Sequence, residues 1–437
     1  MPRILRLVCG ILSVLLSCLA TWFSPNAQAS GTLPDDAYIW QRKWTPEVTE
    51  AMRVSADLVR GWHVLAAEYV KTGGGYRWAH VLPDWRALAA ARQPVVAVFR
   101  IDGQIAQWDD AQFIASIAAT LQTWREHGVM PAGVEIDYDC GTARLAAYAG
   151  FLRALKPALD PAMRLSITAL PTWLGSADLD DLLASNDEAV LQLHAVMNPA
   201  QGLFDPDRAY PWMTQFAQRT HKPWRVALPS YGTRVTWNAE GRIVAIESEH
   251  SALYPGGIAH ELIAAPKTLG AFVARLDREP PRGLIGIAWF RLPTSADARA
   301  WSLPTWRAVL SRVELSEHID VLARPEESAG LAAAGPAQAT NAASGSGVSA
   351  KRGMGALYDV LLSSTGNVDA ELPGIVRISG ACSAADGING YTLAYDAKGM
   401  SLRRTHRGLL RAGTQINIGW LRCSADQKSG ITFHVES

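Results

Sequence analysis

The chain has 437 residues, with 41 basic and 41 acidic side chains, 49% hydrophobic residues and 16 tryptophans. That length holds two or three domains. The apolar fraction excludes a globally disordered chain, and the balanced charge excludes the basic excess of a dedicated nucleic-acid binder. Setting aside Arg3 and Arg6 leaves 39 basic against 41 acidic residues, so no strong electrostatic bias remains.

Arg3 and Arg6 precede an apolar run, Leu7 to Phe23, and Ala27-Gln28-Ala29 fits a small-x-small cleavage site. Residues 1–29 therefore read as a secretory signal peptide, with Ser30 as the first mature residue. The rivals are an N-terminal membrane anchor, for which the run is marginal in length, and a lipoprotein signal through Leu15-Leu16-Ser17-Cys18. No later stretch is apolar enough to span a membrane. The expectation is an exported protein, periplasmic or extracellular, with no span in the mature chain. Cys9 and Cys18 leave with the signal. Of Cys140, Cys382 and Cys423, the last two form the natural pair in an oxidising compartment and Cys140 remains a free thiol.

From residue 36 to 316, short β-branched or apolar runs alternate with amphipathic stretches. The strands expected are Ala37–Gln41, Trp62–Glu68, Pro94–Ile101, Gly133–Tyr138, Arg164–Leu170, Val190–Met197, Arg225–Ser230 and Leu284–Phe290. Helical patterns lie at Pro46–Arg60, Trp85–Arg92, Asp109–His127, Ala143–Ala158, Asp178–Ser185, Asp207–Arg219, Ala259–Asp277 and Ala298–Val313. Eight such units predict an α/β fold, a (β/α)8 TIM-like barrel. The alternative, an open doubly wound sheet, normally carries a Gly-rich first turn for phosphate. Gly73-Gly74-Gly75 does not follow a strand in that manner. Arg234–Asn238 and Arg242–Glu247 suggest a β-hairpin inserted after the seventh strand, on the face where barrel active sites form. Residues 323–352 are an Ala/Gly/Ser-rich linker. Strand patterns return over 355–437 at Leu357–Ser363, Gly374–Gly380, Tyr391–Asp396, Thr414–Leu421 and Ile431–Glu436. They predict a small all-β domain, a sandwich closed by Cys382–Cys423.

The chemistry is expected at the fourth strand. In Gly133-Val134-Glu135-Ile136-Asp137-Tyr138-Asp139 three carboxylates alternate with other residues. Alternate side chains of a strand share a face. Glu135, Asp137 and Asp139 then point into the barrel while Val134 and Ile136 meet the helices. Three acids on one face repel, so at least one holds its proton to unusually high pH, as a general acid requires.

This segment resembles the D-G-x-D-x-D-x-E pattern of chitinase-like barrels, glycoside hydrolase family 18. Ala132-Gly133-Val134-Glu135-Ile136-Asp137-Tyr138-Asp139 matches it at the glycine, the hydrophobic spacing, the central Asp and the aromatic. Gly286-Ile287-Ala288-Trp289 resembles that family's tryptophan under the sugar. Across Trp40–Leu310 the chain is similar to an exported bacterial family, domain-of-unknown-function family 3142, through Trp40-Gln41-Arg42, Phe99-Arg100-Ile101-Asp102 and Leu170-Pro171-Thr172-Trp173. The first resemblance implies that Asp139 is the proton donor, that Asp137 orients and stabilises the substrate's N-acetyl group, and that Glu135 supports Asp137. Two departures stand out. Asp139 replaces a Glu and is one methylene shorter, and Met197-Asn198 falls where that family has a sixth-strand Tyr.

Other strand ends supply candidate substrate-binding residues. These are Glu68 after the second strand, Arg100 and Asp102 on the third, His194 and Asn198 on the sixth, Tyr231 after the seventh and Arg291 after the eighth. Arg100 is a natural ion-pair partner for Asp102 or Glu135. Trp40, Trp173, Trp237 and Trp289, at or beyond strand ends, offer faces for sugar rings, and Trp40 and Trp289 join the candidate set. The ten histidines form no HExxH or H-x3-H pattern and no Cys/His cluster, and there is no GxSxG or dinucleotide fingerprint. Neither a metal nor another cofactor is therefore expected. The readings are a glycoside hydrolase acting on an envelope or extracellular polysaccharide, a carbohydrate-binding barrel without catalysis, or an envelope scaffold.

Overall fold

The computed structural model describes residues 31–73, 75–194, 202–247, 258–326, 355–424 and 430–436. The expected signal peptide, most of the linker and Asn198 lie outside the described residues. Eight parallel strands close into a barrel: β1 (Asp35–Ile39), β2 (Trp62–Thr72), β4 (Val95–Ile101), β5 (Gly133–Tyr138), β6 (Arg164–Ala169), β7 (Glu188–Gln192), β8 (Trp224–Pro229) and β12 (Leu284–Phe290). Closure comes from β1, which pairs with β12 on one side and β2 on the other. The TIM-like barrel expected from the alternation is present.

Eight described helices cover the barrel: α1 (Pro46–Ser55), α2 (Trp85–Ala89), α3 (Asp110–Glu126), α4 (Leu145–Leu155), α5 (Leu179–Ala184), α6 (Pro206–Arg219), α7 (Pro266–Arg278) and α8 (Leu303–Leu310). Their starts follow local chemistry. Asp84 and Asp109 accept hydrogen bonds from the backbone N–H groups of Ala87 and Gln112, and proline opens α1, α6 and α7. The strands' outward side chains, such as Val134, Ile136, Leu165 and Trp289, join the helices in one core. A second, smaller cluster fills the barrel itself, where Tyr38, Trp40, Leu65 and Val98 pack beside the small Ala227 and Ala288. No helix among the described residues is long and apolar enough to cross a membrane.

Three elements depart from the sequence reading. The helix expected from Ala259 begins instead at Pro266. Before it, β11 (Ile258–Ile263) pairs antiparallel with β9 (Gly232–Trp237), which also pairs with β10 (Ile243–Glu247). The expected hairpin is thus the first part of a three-stranded sheet. β3 (Gly75–His80) folds back on β2, pairing Thr72 with Gly75, so Gly73 and Gly75 serve a hairpin. β7 ends at Gln192, five residues before the expected end.

The C-terminal region forms separate antiparallel sheets. One is ordered β13 (Ile319–Pro325), β14 (Ala356–Ser364), β21 (Gln415–Cys423), β17 (Cys382–Gly387). The other is ordered β18 (Tyr391–Asp396), β19 (Gly399–Arg404), β16 (Ile375–Ser379), β22 (Thr432–Glu436), and β15 (Ala370–Glu371) with β20 (Leu409–Leu410) adds a short ribbon. Val360, Leu362, Val376, Leu402 and Leu421 share one apolar core between the two larger sheets. Cys382 and Cys423 form a disulfide, and Cys140 is a buried free thiol. Asp369 ties this region to the barrel. Its carboxylate accepts from the Ser302 N–H at the start of α8 (2.9 Å) and from the Ala412 N–H (2.9 Å), while its own N–H donates to Thr305 Oγ1 (2.8 Å).

Candidate functional site

Register brings the polar side chains together. β2 carries an irregularity between Leu65 and Ala67, which puts Leu65 and Glu68 on the same, inward face. Glu68 then lies beside Arg100 of β4, and Arg100 beside Asp137 of β5. Thr168 of β6 donates to Asp137 Oδ1 at 2.6 Å, and Gln192 of β7 continues the ring. From Arg100 to Gln192 this row forms the floor of a cavity of about 580 Å³ at the C-terminal mouth, with Glu68 behind it.

One layer deeper lies a dry ionic network. Glu135, wholly buried, accepts from Tyr38 Oη (2.7 Å) and Ser166 Oγ (3.0 Å) and meets His63 Nδ1 at 3.0 Å. Asp36 sits 3.5 Å from His63 Nε2 and 3.2 Å from Arg225, and Arg225 also binds Glu188 at 2.6 Å. Burial disfavours the imidazolium, but Glu135 and Asp36 outweigh it and lift His63 to about 10. Burial likewise opposes the Glu135 carboxylate, yet His63, Tyr38 and Ser166 hold it below the ordinary range. Glu135 is therefore ionised, and it does not line the cavity.

Asp137 and Asp139 both line it. Asp137 is only 4% exposed. Burial pushes it up to about 7, the Asp139 charge adds to the rise, and Arg100 and the Thr168 hydroxyl oppose it. Asp139 follows β5 and is exposed within the cavity, whose walls still partly desolvate it. That desolvation raises its pKa, while Arg100 and Gln192 pull it down. Gln192 Nε2 stands 3.2 Å from Asp139 Oδ1 and 3.3 Å from Asp137 Oδ1, so one amide group serves both acids. The loop after β4 backs Asp139 closely, and a Cβ on Gly103 would overlap the Asp139 carbonyl oxygen. Such a pair can hold one proton near neutrality and release it into the cavity.

The remaining predicted residues divide. Arg100, Trp40, His194, Tyr231 and Arg291 line the cavity. Arg100 pairs with Glu68 (4.0 Å), not with Asp102 or Glu135, and lies 5.7 Å from the Trp40 ring centre. Trp40 is 4% exposed, packed between Arg100 and Phe290, and so presents no open face for a sugar. His194 stacks on Phe290 at 5.0 Å, and burial lowers it to about 4, which leaves it neutral. Tyr231 meets Phe290 and His194 edge-on. Arg291 pairs with Asp297.

Glu68 stands behind the wall, accepting two bonds from Arg42 at 2.6 and 2.8 Å. Two expectations are corrected. Asp102 turns away from the cavity and accepts from the Gln104 N–H at 2.9 Å, closing the loop after β4. Trp289 is wholly buried on the outer face of β12, where its Nε1 donates to Asp35 Oδ1 at 2.7 Å and its ring meets Trp301 and Trp306. Its neighbour Phe290 faces inward and lines the cavity instead. Trp173 is also core, donating to the Cys140 carbonyl. Burial pushes the Cys140 thiol up to about 12.

Tyr38, Arg42, Thr168, Gln192, Arg208 and Trp212 also line the cavity and escaped the sequence reading. Arg42 belongs to the Trp40-Gln41-Arg42 segment, which is the signal that could have found it. Arg208 and Trp212, one turn apart on α6 with the guanidinium 5.5 Å from the ring centre, follow an i, i+4 pattern. Among the described residues, no three His, Cys, Asp or Glu side chains are grouped to hold a metal ion.

No curated protein matches the chain. Solved structures similar to it include a chitinase from Chromobacterium violaceum ATCC 12472, at 12% identity over 64% of this chain and 98% of that one, with a TM-score of 0.45. The Bacillus cereus spore cortex-lytic enzyme SleL aligns at 14% identity over 65% of this chain and 75% of that one, TM-score 0.46. The tamarind chitinase-like lectin aligns at 10% identity over 64% and 99%, TM-score 0.41. Residues 348–424 match a second domain of unknown function, DUF8456. Residues 91–295, which hold six of the eight barrel strands and both cavity aspartates, match the family model described as Domain of unknown function (DUF3142).

Proposed function

We propose that the barrel is a glycoside hydrolase whose cavity takes an envelope or extracellular polysaccharide, with Asp139 as general acid. The observation that supports this most is the Asp137–Asp139 pair. Two carboxyls whose proton affinities are both raised share a Gln192 amide at the floor of an aromatic-walled cavity. Asp139, the one open to the cavity, donates its proton to the glycosidic oxygen as the C–O bond breaks. Asp137 stabilises the positive charge that develops on the sugar, or orients an N-acetyl group where the substrate carries one. Glu135 acts from below by fixing Tyr38 and His63. Water then completes the cleavage and returns a proton to Asp139. The reading implies export and requires no cofactor. The C-terminal β-region serves it as a second binding or packing unit.

A second reading, glycan binding without cleavage, draws on the same amide. Gln192 favours the ionised form of Asp139, and that side chain is a methylene shorter than the Glu of the pattern it resembles. The test is product release from a glycan panel that includes N-acetylglucosamine polymers, with Ser30–Ser437 and its Asp139→Asn variant compared. Cleavage that falls about 100-fold or more in the variant supports the hydrolase. Saturable binding with no cleavage, unchanged in the variant, selects the binding barrel. Neither binding nor cleavage of any glycan discards both.

A further inference from the structure

The charged groups that reach the cavity are unevenly presented. Arg42 and Arg100 keep side-chain exposures of 44% and 36%, whereas Glu68, the acid both contact, is 6% exposed. Glu68 answers two guanidiniums with a single carboxylate. It binds Arg42 through both oxygens, at 2.6 and 2.8 Å, and leaves Arg100 at 4.0 Å. Arg100 is held from behind by the Trp40 ring at 5.7 Å. Three barrel strands further round, Arg208 is exposed on α6 and lies against Trp212. On the acid side, Asp137 lines the cavity but is only 4% exposed and bonded to Thr168 and Gln192, which leaves Asp139 as the more exposed carboxyl. A ligand entering this cavity meets guanidinium tips with aromatic backing, while most of the matching negative charge is shut inside the wall.

Arg100, held on the Trp40 ring with its acid partner no closer than 4.0 Å, suits a carboxylate or an oxyanion ester, bound through two parallel N–H···O bonds. A cationic sugar would be repelled by the same groups. We propose that the cavity selects an anionic glycan, a uronate-bearing or sulfated polysaccharide, by docking the sugar's acidic group on Arg100 with Arg42 beside it. This rests on the cavity being a glycan site and names the substrate class that such a site takes.

The test pairs each acidic probe with its neutral counterpart. Oligomers of glucuronate, galacturonate and mannuronate are set against their carboxyl-reduced forms, and sulfated galactan oligomers against desulfated ones. Binding to Ser30–Ser437 carrying Asp139→Asn is measured calorimetrically, so that cleavage does not interfere. At least one acidic probe should bind about ten-fold tighter than its partner near 0.05 M salt, with the gap narrowing near 0.5 M as charges are screened. Adding Arg100→Gln should shrink that ratio about five-fold or more, and Arg42→Gln should shrink it less. A preference confined to the sulfated pairs, or to the uronates, identifies which oxyanion is read. Neutral partners binding as well as or better than every acidic probe would overturn the inference and leave the glycan reading standing. A preference that survives both arginine substitutions overturns the assignment to this corner of the cavity. Binding of no probe, acidic or neutral, sinks the inference and the glycan reading together.

Discussion

Gln192 reaches from β7 across β6 to donate its side-chain amide to Asp139 at 3.2 Å, although the two residues are 53 apart in sequence. A donor to a carboxylate favours the ionised form. Gln192→Leu keeps the bulk and removes the amide, so the Asp139 pKa rises. With Asp139 as the acid, the alkaline limb of kcat/KM against pH should move upward by up to about one unit. A limb that stays in place, or moves down, would show that another group delivers the proton.

Asp137 gives a stability test that does not depend on activity. Its pKa is about 7 in the folded protein against an ordinary value of 3.8. Between these values the folded state holds a proton that the unfolded chain has released. The contribution of this group therefore falls as pH rises through that window and stays at its lowest above it. Asp137→Asn removes the ionisation while preserving shape. Its melting temperature should exceed that of the unmodified protein by roughly 3–6 °C at pH 8, with the gap closing as pH approaches 4. Differential scanning calorimetry across that range checks both sign and window.

His63 gives the same slope at higher pH, although here it is the charged form that the fold favours. Its folded value of about 10 lies above its ordinary value of 6.5. Its contribution is complete below pH 6.5 and is lost as pH rises towards 10. His63→Gln leaves Glu135 and Asp36 as buried acids without their shared cation. The loss should be about 3–5 kcal/mol at neutral pH, read by chemical denaturation. The variant should also lose the unmodified protein's decline in stability between pH 7 and 10.

Trp289 and Phe290 are adjacent but face opposite sides of β12, so their variants should separate stability from binding. Trp289→Phe removes the donor to Asp35, a buried acid that also receives two bonds from Arg312. It should destabilise the fold by about 1–3 kcal/mol and leave glycan affinity alone. Phe290→Ala opens the cavity wall and should weaken glycan binding by about ten-fold, the equivalent of one lost aromatic contact. Paired denaturation and binding titrations measure both.

The readable parts of the sequence were those governed by period. Glu135 and Asp137 face inward because Val134 and Ile136 cannot, and Gly133–Tyr138 and Leu284–Phe290 are observed with the expected bounds. The same rule, applied to β12, would have chosen Phe290. Ala288 is the small residue that fits inside the barrel, and Phe290 shares its parity while Trp289 does not. The larger ring drew attention to the wrong face. Ala259–Ala265 reads as helix by composition, and only pairing with the distant Gly232–Trp237 makes most of it a strand. Gln192 has no local signature, since its role exists only once β5 and β7 flank β6. Glu68 owes its place to an irregularity in β2 that no alternation pattern announces.

β13 and β14 pair residue for residue from Ile319–Ser364 to Pro325–Tyr358, and Asp369 bonds to both Ser302 and Thr305 of the barrel. The chain between residues 327 and 354 is therefore not the only link joining the barrel to the C-terminal sheets. A protease cut in that stretch would leave two fragments that remain one particle. They would elute together from a sizing column in native buffer and separate only in detergent or denaturant.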